Sequence, residues 1–476
     1  MTSRDTASEA IKSASNTLVE LSHFIHKNPE LGYEEFKSAE AVANAAKSAG
    51  FNVETGIAGL ATAFRATKGS GELSIVFCAE YDALPDVGHA CGHNIIAASS
   101  LGAAIGLGAV ADELGLTVTL LGTPSEEGGG GKIDLINAGE FKNAHAAMMV
   151  HPWPTERLDA QCLAVDHFDV TFTGKDAHAS AAPFEGINAL DAMTISQVAL
   201  GLLRQQLHPG DQVHGIVVES GSAANIIPSH ALGRFMARSV TSARLGALRK
   251  RIDACFQAGA LATGAALKIE ELGSQFSHME TNAEILNHYR SAAEALGRTF
   301  EIDDAHTPRP TISTDMANVS LVVPSIHPLI AIPTHGAVNH QPEFTAACIT
   351  KEADQAVIDG AVALAHTAIA VAEEVMVLEH AVLPVTPGEE EAFAQDLKTA
   401  LPIIHSAPGC RGAEVRREVE DPTKHLLLVQ WDSVEAHNEF RNTDLYQQWR
   451  ALTHPHYSGK VGVDFFVTHF SEPLTT

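Results

Sequence analysis

Three apolar runs limit most strongly what this chain can fold into: ELSIVFCAEYDALP, LTVTLLGTPSEE and HAAMMVHPWP. Each reads as a β-strand that breaks off into residues able to do chemistry: Asp82 after the first, Glu126 and Glu127 after the second, His151 after the third. Helical segments lie between them. Strands with helices between, whose ends carry carboxylates and imidazoles, predict an α/β fold with a mostly parallel sheet and a site at the strand ends. The uncharged run Ile95–Ala111, IIAASSLGAAIGLGAVA, is just under transmembrane length and diluted with Ser and Gly, so it reads as a buried helix.

At 476 residues the chain has room for two or three domains of ordinary size. The catalytic α/β pattern occupies 1–163. Residues 164–280 then read as β, α, β, β, α, β, an α+β unit inserted into the first domain, with helices over Asn188–Gln206 and Ser242–Thr263. Residues 281–374 return to helices and short strands containing STDMANVS and HGAVNHQPEF. Residues 375–476 repeat the order βαββαβ, ending on the strand KVGVDFFVTHF.

A net charge of -27 disfavours phosphate backbones and anionic membranes as partners. The polar N-terminal twenty residues do not read as a signal peptide, and the six cysteines are widely spread. Reduced thiols in a cytoplasm are the expectation.

Within GHACGHN, Cys91 and His93 stand two apart, so on an extended segment both side chains would face one way, and both suit a first-row metal. A buried thiol beside a core histidine would look the same. Glu126 and Glu127 are adjacent, so their side chains diverge: one can bind a metal while the other stays free to carry a proton. A solvated glutamate pair before a glycine-rich turn is the alternative. His151 and His340 would each more often be structural, and His335 competes with His340. Taken together, Cys91, His93, Glu127, His151 and His340 supply five donors of the types a two-metal hydrolase uses, with Asp82 placed to orient one of them.

The order HKNPELGYEE, EYDALPDVGHACGHN, PSEEGGGG, HPWP, GKDAHASAAP, SAANIIP and NHQPEF resembles the zinc aminoacylase and carboxypeptidase-G type amidohydrolases, in the branch with indole-acetyl-amino-acid hydrolases and aminobenzoyl-glutamate hydrolase. The resemblance spans about residues 15 to 374. It implies ligand roles for Cys91, His93, Glu127, His151 and His340 and a general acid/base role for Glu126. It also implies that 164–280 is a lid and dimerisation domain, whose His178 reaches the partner subunit's site and supports the oxyanion. Asn225 and Arg238 then grip the substrate, the latter through its carboxylate. On their own these three residues read equally well as a polar strand end, a turn residue and a surface cation. Asn94, where many members carry Asp, places the chain nearest the aminobenzoyl-glutamate hydrolase and dipeptidase-like members.

The last unit resembles the antibiotic-biosynthesis-monooxygenase type of dimeric α+β barrel, a ferredoxin-like fold, through PGEEEAF, PGCRGAEV, LLLVQWDSVEAHNEF and FFVTHF. Trp431, His437 and Trp449 could line a cavity there, or simply form core and rim.

The leading expectation is a metal-dependent amidohydrolase that cleaves N-acyl amino acids or dipeptide-like substrates with a free carboxylate. It would use two divalent ions, with Zn²⁺ favoured by the Cys91 thiolate and Mn²⁺, Co²⁺ or Ni²⁺ open. Its partners would be a small-molecule substrate and further copies of itself in a homodimer or higher assembly, the C-terminal unit pairing with its own kind. The alternatives are an oxygenase or binding role residing in the C-terminal barrel, or a protein that keeps its metals only for structure.

Overall fold

The computed structural model describes residues 2–302, 310–375 and 377–466. Its centre is a six-stranded mixed sheet. Strand Leu73–Ala79 runs parallel to Leu116–Gly122 on one side and to Ala146–Met148 on the other, and Ser325–Ile326 adds a further parallel strand beyond the last. Phe64–Gly69 and Asn52–Thr55 extend the other edge antiparallel. In this register Ala79, Gly122 and Met148 end on one side of the sheet, so the residues that follow them converge there.

The run read as a buried helix is helix His93–Gly108, in which nearly every side chain is buried. It packs against helix Ser3–Lys27 and helix Lys351–Val375. Among the described residues, Lys351–Glu373 alone is long and apolar enough to cross a membrane, and two thirds of its apolar window (67%) is buried inside the fold.

The inserted unit has the expected order. Strands Ala164–Thr173, Gln212–Glu219, His230–Ser239 and Ala266–Glu271 form one antiparallel sheet, and helices Ala189–Leu203 and Ser242–Thr263 pack together over it. Asn188 caps the first helix by accepting from the backbone of Leu190 and Asp191, and Thr241 caps the second. After this insertion the chain returns to the central sheet through Ser325–Ile326.

The C-terminal unit is a separate antiparallel sheet in the order Cys410–Arg417, Lys424–Trp431, Val377–Pro384, Val463–Phe466, with helix Glu390–His405 packed on it. The single helix expected after Trp431 is broken into Val434–Phe440 and Asp444–Thr453, because Thr443 takes an extended conformation and caps the second piece through Tyr446. The closing strand is described only as Val463–Phe466; the rest of FFVTHF lies outside the described residues.

Candidate metal centre

Cys91 and His93 are not on an extended segment. Gly92 has φ 74° and caps helix His93–Gly108, so the two side chains are brought together by a turn into a helix. A Cβ at Gly92 would sit 2.4 Å from Cγ of Pro152, so the close approach of the His151 segment also demands glycine here. His151 begins strand His151–Trp153, which pairs with Leu329–Ala331. Glu126 and Glu127 follow Leu116–Gly122 in a turn opened by Ser125 at φ 57°, an unusual conformation for a residue with a side chain. Buried Glu35 holds that turn: its Oε1 accepts from Ser125 N at 2.8 Å and its Oε2 from Thr62 Oγ1 at 2.8 Å. His340 has φ 71° and donates its backbone N–H to the Ala90 carbonyl at 2.9 Å, which ties its loop to GHACGH.

The donor atoms of Cys91, His93 and His151 lie within 4.8 Å of one another, as do those of Cys91, Glu127 and His340. All five sequence-derived ligand candidates therefore meet, with Cys91 common to both groups. His335 is exposed and belongs to neither. A third group of the same compactness is Glu80, His93 and Glu126.

Asp82 orients two members. Its Oδ1 accepts from His93 Nδ1 at 2.9 Å and its Oδ2 from the Glu127 backbone N–H at 2.9 Å. With Nδ1 donating, Nε2 of His93 faces the cluster, where it is buried without a hydrogen-bond partner; Oε1 of Glu127 is in the same condition. His151 Nδ1 donates to the Pro152 carbonyl at 2.9 Å, which again leaves Nε2 for a ligand. A thiol, three imidazoles and a carboxylate with orphaned buried atoms fit a divalent cation, which supplies the partner they lack.

The electrostatics agree. Burial, reinforced by the carboxylates of Glu80, Glu127 and Asp315, pushes Glu126 well above the ordinary carboxylate range. Burial also raises Glu127, against the opposing charge of His93. Burial pulls His93 down, but the charge and hydrogen bond of Asp82 outweigh it and hold the imidazole well above its usual value. Burial and the Glu127 charge raise the Cys91 thiol well above its usual range, so a thiolate here requires a cation beside it.

Beneath Glu126 lies a network that sequence reasoning missed. Lys132, fully buried, places Nζ 2.5 Å from Glu80 Oε1 and 2.6 Å from Asp315 Oδ1, and its backbone N–H donates to Asp315 Oδ2 at 2.9 Å. The signal available was a lysine directly after four glycines and an acid directly after an apolar strand. Buried His327 was missed as well; its ring lies 5.4 Å from that of His151.

His178, expected to support the oxyanion, and Asn225 and Arg238, expected to grip the substrate, are not part of this cluster. His178 and Asn225 lie side by side on exposed loops of the inserted unit, where the Ala179 N–H donates to the Asn225 carbonyl at 3.0 Å. His178 Nδ1 accepts from the Ala181 N–H at 3.2 Å, which leaves Nε2 outward. Arg238, on strand His230–Ser239, donates to Ser313 Oγ at 2.9 Å. Among the described residues none of the three bonds to the cluster, and Arg238 forms no ion pair.

Strand ends that deliver a compact thiol, imidazole and carboxylate cluster, with a further glutamate beside it, define a metal-dependent hydrolase. The chain belongs to peptidase family M20/M25/M40, whose model matches residues 76–370. It is 39% identical over 388 residues to the Xaa-Arg dipeptidase of Mus musculus, covering 78% of this chain and 90% of that protein. To a p-aminobenzoyl-glutamate hydrolase chain of Escherichia coli (strain K12) it is 29% identical, over 54% of this chain and 57% of that one. The fold is shared with the YxeP protein of Bacillus subtilis, described as a dinuclear metal-binding peptidase, at 21% identity and a TM-score of 0.59, over 75% of this chain and 99% of that one. Residues 376–452 match the antibiotic biosynthesis monooxygenase model.

Proposed function

We propose that this metallohydrolase cleaves the amide bond of dipeptides or N-acyl amino acids that carry a free carboxylate, and that it does so with two divalent cations. The observation that carries the reading is the meeting of Cys91, His93, Glu127, His151 and His340 in two compact groups sharing Cys91, with Glu126 alongside. Cations held there would polarise the scissile carbonyl and acidify a water. The Cys91 thiolate favours Zn²⁺ among the candidates.

The protein's own part divides as follows. Asp82 fixes the rotamer and tautomer of His93. Glu126, kept basic by burial and its neighbouring carboxylates, accepts a proton from the attacking water and returns it to the leaving amine. Arg238, half-buried and without an ion pair among the described residues, is suited to the substrate carboxylate. The name of the mammalian relatives makes a basic C-terminal residue the first substrate to try.

His178 and Asn225 would complete the site of a second copy. Supporting this, strand Gln212–Glu219 at the sheet edge exposes Ile216 and Val218, and the neighbouring helix exposes Val198 and Leu202. Mixing His178→Ala with Glu126→Gln protein should then restore part of the activity, because one hybrid site has both groups intact. Absence of recovery with subunit exchange demonstrated would put His178 to work in its own subunit. None of the six cysteines is in a disulfide, which fits a reducing compartment.

The test is amine release across a panel of dipeptides and N-acyl amino acids, each beside its C-terminal amide. Acids should be cleaved and amides poorly. Arg238→Ala should reduce kcat/KM for the acids by roughly 2 to 5 kcal/mol, the scale for truncating one member of a buried charge pair, and far less for the amides. An equal loss on both would remove Arg238 from recognition.

A further inference from the structure

The C-terminal unit contains a cavity of about 510 Å³ between its sheet and helices Val434–Phe440 and Asp444–Thr453. On its sheet side stands Glu379, 4% exposed. Oε2 of Glu379 accepts from Trp431 Nε1 at 2.7 Å, while Oε1 is 3.7 Å from His437 Nε2, outside hydrogen-bond reach. His437 is itself buried, and its Nδ1 has no hydrogen-bond partner.

This is not how a structural core is built. A carboxylate buried this deeply with no cation in hydrogen-bond contact is costly, and an apolar residue would fill the place at less expense. Burial pushes the Glu379 carboxyl up in spite of its bond from Trp431 and the opposing charge of Arg441. Four aromatic residues, Phe440, Tyr446, Trp449 and Tyr457, line the same space, together with His454 and Lys460. A buried acid with aromatic walls is the chemistry that recognises an ammonium or guanidinium group. Arg441 also lines the cavity, and its guanidinium lies 5.7 Å from the Tyr446 ring centroid. A guanidinium so placed is free to take a carboxylate at the other end of the same ligand.

We propose that this cavity binds a free basic amino acid, its cationic side chain on Glu379 among the aromatic rings and its α-carboxylate on Arg441. Such a molecule is also a product of the proposed hydrolysis, which would make the C-terminal unit a product-binding module. The inference stands on the cavity alone and does not require that reading.

Calorimetric titration of the full-length protein with L-arginine, and with agmatine, which lacks the carboxylate, tests it. Saturable arginine binding should persist in Arg238→Ala, which disables the candidate substrate grip, and weaken by roughly tenfold or more in Glu379→Gln, the scale of one charge-assisted bond. Arg441→Ala should bring arginine down to the affinity of agmatine while leaving agmatine unchanged. In Glu379→Gln the amide oxygen can still accept from Trp431; should that variant fail to fold, the exposed Arg441 position decides through the arginine-to-agmatine ratio. Binding lost only in Arg238→Ala would place the ligand at the hydrolase site and overturn the proposal. So would equal affinity in wild type and Glu379→Gln, or tighter binding of a neutral ring compound such as 2-naphthol than of arginine.

Discussion

Chelation of divalent metal should abolish amide hydrolysis, and Zn²⁺, Mn²⁺ or Co²⁺ should restore it. Glu126→Gln should keep its metal yet lower kcat by roughly 10² to 10⁴, the usual worth of a positioned acid/base. The two results are linked by the geometry. Five donors from four separate segments meet around Cys91, and two of them, His93 Nε2 and Glu127 Oε1, are buried without a hydrogen-bond partner. Glu126 belongs to neither Cys91 group, standing 3.9 Å from His93 Nε2. Metal content by elemental analysis, read beside single-turnover rates, separates the roles. Full activity in metal-free protein would end the mechanism, and metal loss in Glu126→Gln would mean that the two adjacent glutamates have exchanged places.

Lys132→Met should destabilise the fold by about 3 to 5 kcal/mol, the cost of leaving buried charges unpaired. The substitution fills the same space but strands Glu80 and Asp315, which already share the interior with Glu126. Burial raises Asp315 to about 6 even with Lys132 bonded to it. Without the ammonium its folded-state pKa rises further above the unfolded value. The penalty is therefore largest at pH well above 6 and shrinks as pH falls and the carboxyls take up protons. Thermal melts of wild type and variant at pH 8 and pH 5.5 should show the gap narrowing on the acid side. A constant gap would mean that lost packing, not stranded charge, sets the cost.

The difference between what the sequence announced and what it concealed is one of range. Strand-end placement of Asp82, Glu127 and His151 follows from local apolar runs, which carry their own period and stop signals. The capped helices at Asn188 and Thr241 were legible for the same reason. The pairing of Lys132 with Asp315 spans 183 positions, and that of Ser125 with Glu35 spans 90, so neither leaves a local pattern. Gly92 was a visible sign that Cys91 and His93 sit on a turn, because a glycine takes a positive φ without steric cost where the chain turns into a helix. The helix break at Thr443 was visible too, in a capping residue inside an apparently continuous helix. The family resemblance named the oxyanion and substrate-gripping residues of the inserted unit, but a single chain does not bring His178 or Asn225 to the cluster.

The insertion of that unit also sets an order of events during synthesis. Cys91, His93, Glu127 and His151 leave the ribosome first, then the whole inserted unit, and only afterwards Asp315 and His340. Until then Lys132 has half of its counter-charge, the Ala146–Met148 strand lacks the neighbour Ser325–Ile326, and the donor set lacks a member. The inserted unit, with its own closed core around Phe168, Phe235 and Phe256, can fold while the central sheet is still open. A nascent chain arrested before residue 310 should thus protect the inserted unit from proteolysis but leave the first segment cleavable, and metal capture becomes a late event that locks the two halves of the sheet together.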